Sequence, residues 1–350
     1  MFTCLWNYFN HYFNYSSIQT NEIPIEHNNI AIQNNPTNIN FIDDNSHSLE
    51  IQESYKLIFS THKNTPSKLE IILYKFYNGS ISPIDISHLS SVFHYDNKCY
   101  KISSTININR YKPIISSIYN SNINHIVLPE HIYHNSYKHN EYIQVFPYFS
   151  QGDLFEYVSN NTLSIPDKLN IYAKCISIIK NLHNINIAHR DIKLENFLLS
   201  IENNNLELKL IDLDFASSNH YDLTFKGGTT QYISYEVINF IHFDNWFSTD
   251  IWATGIILYA LLFNNFPWYN PLTCDTLTKK TFKNPLEPCP LFEDYFYNKH
   301  YTYWHKDLNK LSIDEKTLNI LNVIFNYSFN LNWYDRIDIS YIEFLLNTIN

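Results

Sequence analysis

The chain has 350 residues and a formal net charge of −10, and 45% of it is apolar. That is enough to bury the core of one large or two modest domains, and it excludes disorder throughout. Only 5 Gly and 3 Arg stand against 47 Asn, which rules out collagen-like and Gly-Ser-linker architectures and points to a genome poor in GC codons.

Residues 1–68 read as an Asn-rich acidic leader, expected to be disordered: residues 1–55 hold six acids and no Lys or Arg. The aromatic stretch Met1–Tyr15 has no basic residue and so lacks the start of a secretory signal. From Leu69 onward, β-prone runs are predicted at Leu69–Phe76, Ser90–Tyr95, Lys98–Ser103 and Tyr142–Phe146, with a helix over Tyr111–Asn120 opened by Pro113. After Gly152 the pattern turns helical. Ser164-Ile165-Pro166-Asp167 is a helix-start signal for Ile165–His183. The apolar run Ile251–Phe263 is too short for the roughly 20 residues of a spanning helix and is predicted to be a buried core helix. No membrane span is expected. From residue 56 onward, 28 acids face 24 bases, which is not the charge footprint of a nucleic-acid binder. The five cysteines are odd in number and form no C-x-x-C pair, so a reducing compartment is the default.

The segment His189-Arg190-Asp191-Ile192-Lys193-Leu194-Glu195-Asn196 puts a carboxylate, a cation and an amide oxygen on one short stretch. Phosphoryl transfer needs such a set: a carboxylate beside the incoming hydroxyl, a cation near the migrating group and a metal ligand. The segment resembles the catalytic loop H-R-D-x-K-x-x-N of eukaryotic-type protein kinases. Other landmarks follow in that family's order. Asp212-Leu213-Asp214 resembles D-F-G, and Gly228-Thr229-Thr230-Gln231-Tyr232-Ile233-Ser234-Tyr235-Glu236 resembles G-T-x-x-Y-x-A-P-E. Asp250-Ile251-Trp252-Ala253-Thr254-Gly255 matches D-x-W-x-x-G, and Arg336 falls where the family pairs an arginine with the glutamate at position 236.

The resemblance implies an α+β, bilobal protein-kinase fold over residues 69–350, with a small β-rich N-lobe (69–146) and a larger helical C-lobe (147–350). It implies a serine/threonine protein kinase that uses ATP and Mg2+ on protein substrates, located inside the cell, in cytoplasm or nucleus. The catalytic set carried over is Asp191, Lys193, Asn196 and Thr229, with Asn196 and Asp212 as metal ligands. The nucleotide set is Lys101, Gly79, Ile86, Cys99, Pro147, Phe149, Leu198 and Asp212. In it, the Pro147 carbonyl and the Phe149 N–H take the adenine edge, while Ile86, Cys99 and Leu198 enclose the purine. Asp153 and Glu195 match positions that in some relatives hold basic residues of a peptide substrate. Thr224, or the nearby Asp222, stands where an activation-loop anion would meet Arg190.

Three departures from the pattern bear on catalysis. Gly79-Ser80-Ile81-Ser82-Pro83-Ile84 stands for G-x-G-x-x-G with two glycines replaced and one N–H removed by proline. The position of the helix acid that should pair with Lys101 falls at Ile114, leaving Glu130 or the acidic leader as substitutes. D-F-G is D-L-D, which adds the charge of Asp214 beside the metal site. An alternative reading is therefore a pseudokinase acting as scaffold or allosteric partner.

Overall fold

The computed structural model describes residues 67–77, 79–86, 90–104, 108–134, 141–202, 205–218, 228–268 and 303–349. All lie within one unit, Lys56–Asn350. The expected leader through residue 66, and both Thr224 and Asp222, lie outside the described residues.

The N-terminal lobe is an antiparallel sheet of β1 (Asp85–Ile86), β2 (Ser90–Tyr95), β3 (Lys98–Ser103), β4 (His131–His134) and β5 (Tyr142–Pro147), in the order β1-β2-β3-β5-β4. β2, β3 and β5 stand where the β-prone runs predict them. The run Leu69–Phe76 does not: it lies in helix α1, Ser67–Tyr77. Its apolar residues 69, 72, 73 and 76 have the i, i+3, i+4, i+7 spacing of one helix face. That face packs on the sheet, with Leu69, Ile72 and Leu73 buried among Phe93, Tyr100, Ile102, Ile143 and Val145. Strand alternation turns Cys99 and Lys101 to the opposite face of β3, paired in register with Phe146 and Gln144 of β5. Helix α2 (Ile108–Asn120) begins three residues before the predicted start, with Pro113 inside it, and buries Tyr111, Ile114, Ile115 and Ile118.

The C-terminal lobe is helical: α3 (Leu154–Asn160), α4 (Ile165–Asn184), α5 (Tyr235–Ile238), α6 (Phe247–Phe263), α7 (Tyr303–Leu308), α8 (Glu315–Ser328) and α9 (Ile339–Ile349), with the hairpin β6 (Phe197–Glu202) and β7 (Asn205–Leu210). Helix α4 starts as its cap predicts, the Ser164 hydroxyl accepting from the Asp167 N–H. Helix α6 is buried at every position from Ser248 to Leu262, which explains why its sequence has no polar face. Gly255 lets it approach α8 closely, since a Cβ there would lie 2.7 Å from Cε1 of Phe329. Around that contact Trp252, Trp268 and Trp304 all pack against Phe329.

Candidate active site

The loop after α4 is hung on one carboxylate of α6. Asp250 is buried and accepts from the backbone N–H groups of His189 and Arg190, each at 2.8 Å, and meets His183 Nε2 at 2.9 Å. Arg190 has φ 67°, a left-handed backbone that a non-glycine residue adopts at a cost, and the bonds to Asp250 hold it there. This fixes the next residue, Asp191. Its Oδ1 accepts from the Thr229 N–H at 3.1 Å and the Thr229 hydroxyl at 3.0 Å. Lys193 Nζ lies 2.9 Å from Asp191 Oδ2 and donates to Thr229 Oγ1 at 2.9 Å. Asn196 Nδ2 donates to the Asp191 carbonyl at 2.7 Å. All four residues of the expected catalytic set thus meet at one point.

Asp212 is tied to the same loop: the Ile211 N–H donates to the Asn196 carbonyl at 2.9 Å, and His189 Nε2 lies 2.9 Å from the Ile211 carbonyl. Asp212 is also left-handed, with φ 66°. Hydrogen bonds occupy Nδ2 of Asn196 and Oδ1 of Asp212. The oxygens left for a cation are Oδ1 of Asn196 and Oδ2 of Asp212, hard donors that suit Mg2+.

Lys101 reaches across from β3. Its Nζ is 2.7 Å from Asp212 Oδ1 and 2.9 Å from Asp214 Oδ2. Burial works against the ammonium charge, but the two carboxylates outweigh it and hold Lys101 above the usual lysine range. Burial raises Asp214, whereas Lys101 draws Asp212 below the usual carboxylate range against the effect of its own burial. Of the two substitutes expected for the absent helix acid, Glu130 is taken by Lys98, at 2.6 Å, and the leader lies outside the described residues. Leu213, at the position of the family's Phe, is buried, while Asp214 sits in a short 3-10 turn without positive φ, so its place does not call for glycine. Around it, Gln144 Nε2 donates to the Tyr111 hydroxyl at 2.8 Å and approaches Asp214 Oδ1 at 3.5 Å, and Arg110 Nη2 donates to the Asp214 carbonyl at 2.7 Å.

Of the expected nucleotide set, Cys99 shares the Lys101 face of β3, and Pro147 closes β5 opposite Lys98. The Phe149 N–H has no hydrogen-bond partner among the described residues. Leu198 lies in β6, bridged to Asp153. Two residues lie elsewhere than the resemblance implies. Gly79 lies between α1 and β1, with φ 78°, and its N–H donates to the Phe76 carbonyl at 3.1 Å, which ends the helix. Ile86 is in β1, two-thirds exposed, before the β1–β2 connection instead of after it. That connection, residues 87–89, reads Ser-His-Leu and has no glycine.

On the far side of the loop, Glu195 accepts from the Tyr232 hydroxyl at 3.3 Å, and burial pushes its carboxyl up to about 7. Asp153 caps α3 through the Glu156 N–H at 2.8 Å. Sequence reading missed Gln144, Tyr111 and Arg110. The one available signal was Gln144 itself, an amide in the otherwise apolar run Tyr142–Pro147.

Residues 98–326 match the family described as the protein kinase domain. Among curated relatives, the chain is 35% identical over 121 residues to Myosin light chain kinase A of Dictyostelium discoideum, covering 34% of this chain and 40% of that protein. It is 30% identical over 150 residues to Serine/threonine-protein kinase PRR2 of Saccharomyces cerevisiae, covering 41% of this chain and 21% of that protein. The chain thus spans less than half the length of either relative. No helix among the described residues is long and apolar enough to cross a membrane.

Proposed function

The chain belongs to the protein kinase family, matched over more than half its length, and from that premise we propose that it is an active serine/threonine protein kinase using Mg-ATP. The observation that carries the reading is the convergence of Asp191, Lys193, Asn196 and Thr229 beside the Lys101–Asp212 pair. In the transfer, a substrate hydroxyl oxygen forms a bond to the γ-phosphorus of ATP as the bond to the β-bridging oxygen breaks, releasing ADP. Asp191 orients that hydroxyl and takes its proton. Lys193 neutralises charge on the migrating phosphoryl group, and Lys101 holds the α- and β-phosphates. Asn196 and Asp212 would hold Mg2+, which would supply positive charge to offset that of the phosphates. Thr229 keeps Asp191 and Lys193 in register, as expected for hydroxyl substrates of the serine and threonine type. Asp153 and Glu195 favour a basic peptide, and the five cysteines without a C-x-x-C pair suit a reducing compartment, cytoplasm or nucleus.

The experiment is Mg-ATP binding by calorimetry together with phosphate transfer to a basic peptide. Wild type should do both, and Asp191→Asn should bind but not transfer. A second reading, a pseudokinase scaffold, draws on the glycine-free β1–β2 connection and on buried Ile114. Wild type that binds nucleotide without transfer would favour it.

A further inference from the structure

Lys101 can hold phosphates only if its ammonium is itself held, and helix α2 has no carboxylate to hold it, since no acid occurs between Lys98 and Pro129. Position 114, where the family's acid falls, is a buried isoleucine. Besides Asp212, a second carboxylate meets Lys101, from the other lobe and two residues past Asp212. Asp214 Oδ2 lies 2.9 Å from Nζ, with the two side chains 5% and 11% exposed. A buried carboxylate is costly unless paired and hydrogen-bonded, and this one has polar groups from two further elements, β5 and α2, around it. Gln144, fully buried on β5 directly opposite Lys101, faces it; Tyr111 on α2 receives the Gln144 amide; Arg110 binds its backbone carbonyl. A glutamine buried in an apolar strand is itself rare without such partners.

We propose that Asp214 replaces the missing α2 acid as the positioning residue for Lys101. Gln144, Tyr111 and Arg110 form its supporting shell. The orienting pair is thereby closed within the metal-binding turn rather than between sheet and helix, and α2 acts on Lys101 only through Arg110 and Tyr111. Restoring the family's glycine at position 214 should therefore damage the site instead of repairing it. This inference rests on the nucleotide-binding reading above.

The test measures the Kd of Mg-ATP by calorimetry on the full chain, for wild type, Asp214→Asn, Asp214→Gly, Lys101→Met and the double variant Lys101→Met/Asp214→Asn. Thermal unfolding without nucleotide identifies variants that remain folded, and Tyr111→Phe provides a milder perturbation of the same shell. Asp214→Asn and Asp214→Gly should each weaken binding about tenfold. The double variant should bind no more weakly than Lys101→Met alone, which a purely structural role for Asp214 would not produce. Unchanged binding in both Asp214 variants, or losses that add in the double variant, would overturn the inference while leaving the proposed function standing. Wild type that binds no Mg-ATP would remove both.

Discussion

Arg336 and Glu236, 100 residues apart in the chain, form a two-point ion pair with Nη1–Oε1 and Nη2–Oε2 distances of 2.7 and 2.6 Å. Both side chains are almost wholly buried. The guanidinium also donates to the carbonyls of Ser248 and Asn330 and lies 4.9 Å from the Trp252 ring, so one side chain ties α5, α6 and the segment after α8 together. Arg336→Ala leaves a buried carboxylate alone and should cost about 3–5 kcal/mol. Urea unfolding measures it. Arg336→Lys should recover only part, because lysine keeps the charge but not the planar fork.

The close approach of α6 to α8 makes a second prediction. Gly255→Ala would put a methyl 2.7 Å from Phe329 Cε1, and overpacking of this kind costs about 1–3 kcal/mol. Combining it with Phe329→Leu should cost less than the two changes separately, as contacting residues couple. Additive losses in thermal or urea unfolding would show that the ring moves aside freely.

Thr229 joins Asp191, the proposed proton acceptor, to Lys193 through one hydroxyl. Thr229→Ala should lower kcat on the order of tenfold with the KM for ATP little changed, since the hydroxyl lies on the acceptor side of the site. Thr229→Ser keeps the hydroxyl and should restore most of the rate. Steady-state kinetics with a basic peptide separates the two constants.

Cys99 gives the pH dependence. Burial pushes its thiol from 9.0 up to about 11, with the Lys101 charge opposing only in part. The thiolate is the reactive form, so alkylation of the Cys99 peptide, followed by mass spectrometry, should be slow at neutral pH. It should rise about tenfold per pH unit up to pH 9 without a plateau. A plateau below pH 9 would contradict the burial effect. The sign for stability follows: a thiol harder to ionise in the fold than in the unfolded chain lowers stability as pH climbs past 9.0 toward 11.

Much was already present in the sequence. The Asp191–Asn196 loop, strands β2, β3 and β5, helix α4 with its Ser164 cap, and the apolar run Ile251–Phe263 of α6 depend on contiguous residues whose spacing sets local backbone geometry. The partnership of Arg336 with Glu236 was legible from motif order. Helix α1 was not legible, because a short apolar run rich in Ile, Leu and Tyr suits strand and helix alike until a sheet face selects the 3.6-residue period. Gly79, which the resemblance puts in the phosphate loop, ends that helix. The partner of Lys101 was beyond sequence reading too. Asp214 lies in a separate motif where it looked like a surplus charge, and only the packing of β3, β5, α2 and the turn at Asp212 brings Gln144, Tyr111 and Arg110 around it. Local order follows from neighbours along the chain, whereas the pairing of buried charges is decided by which distant groups share one low-dielectric space and must satisfy each other there.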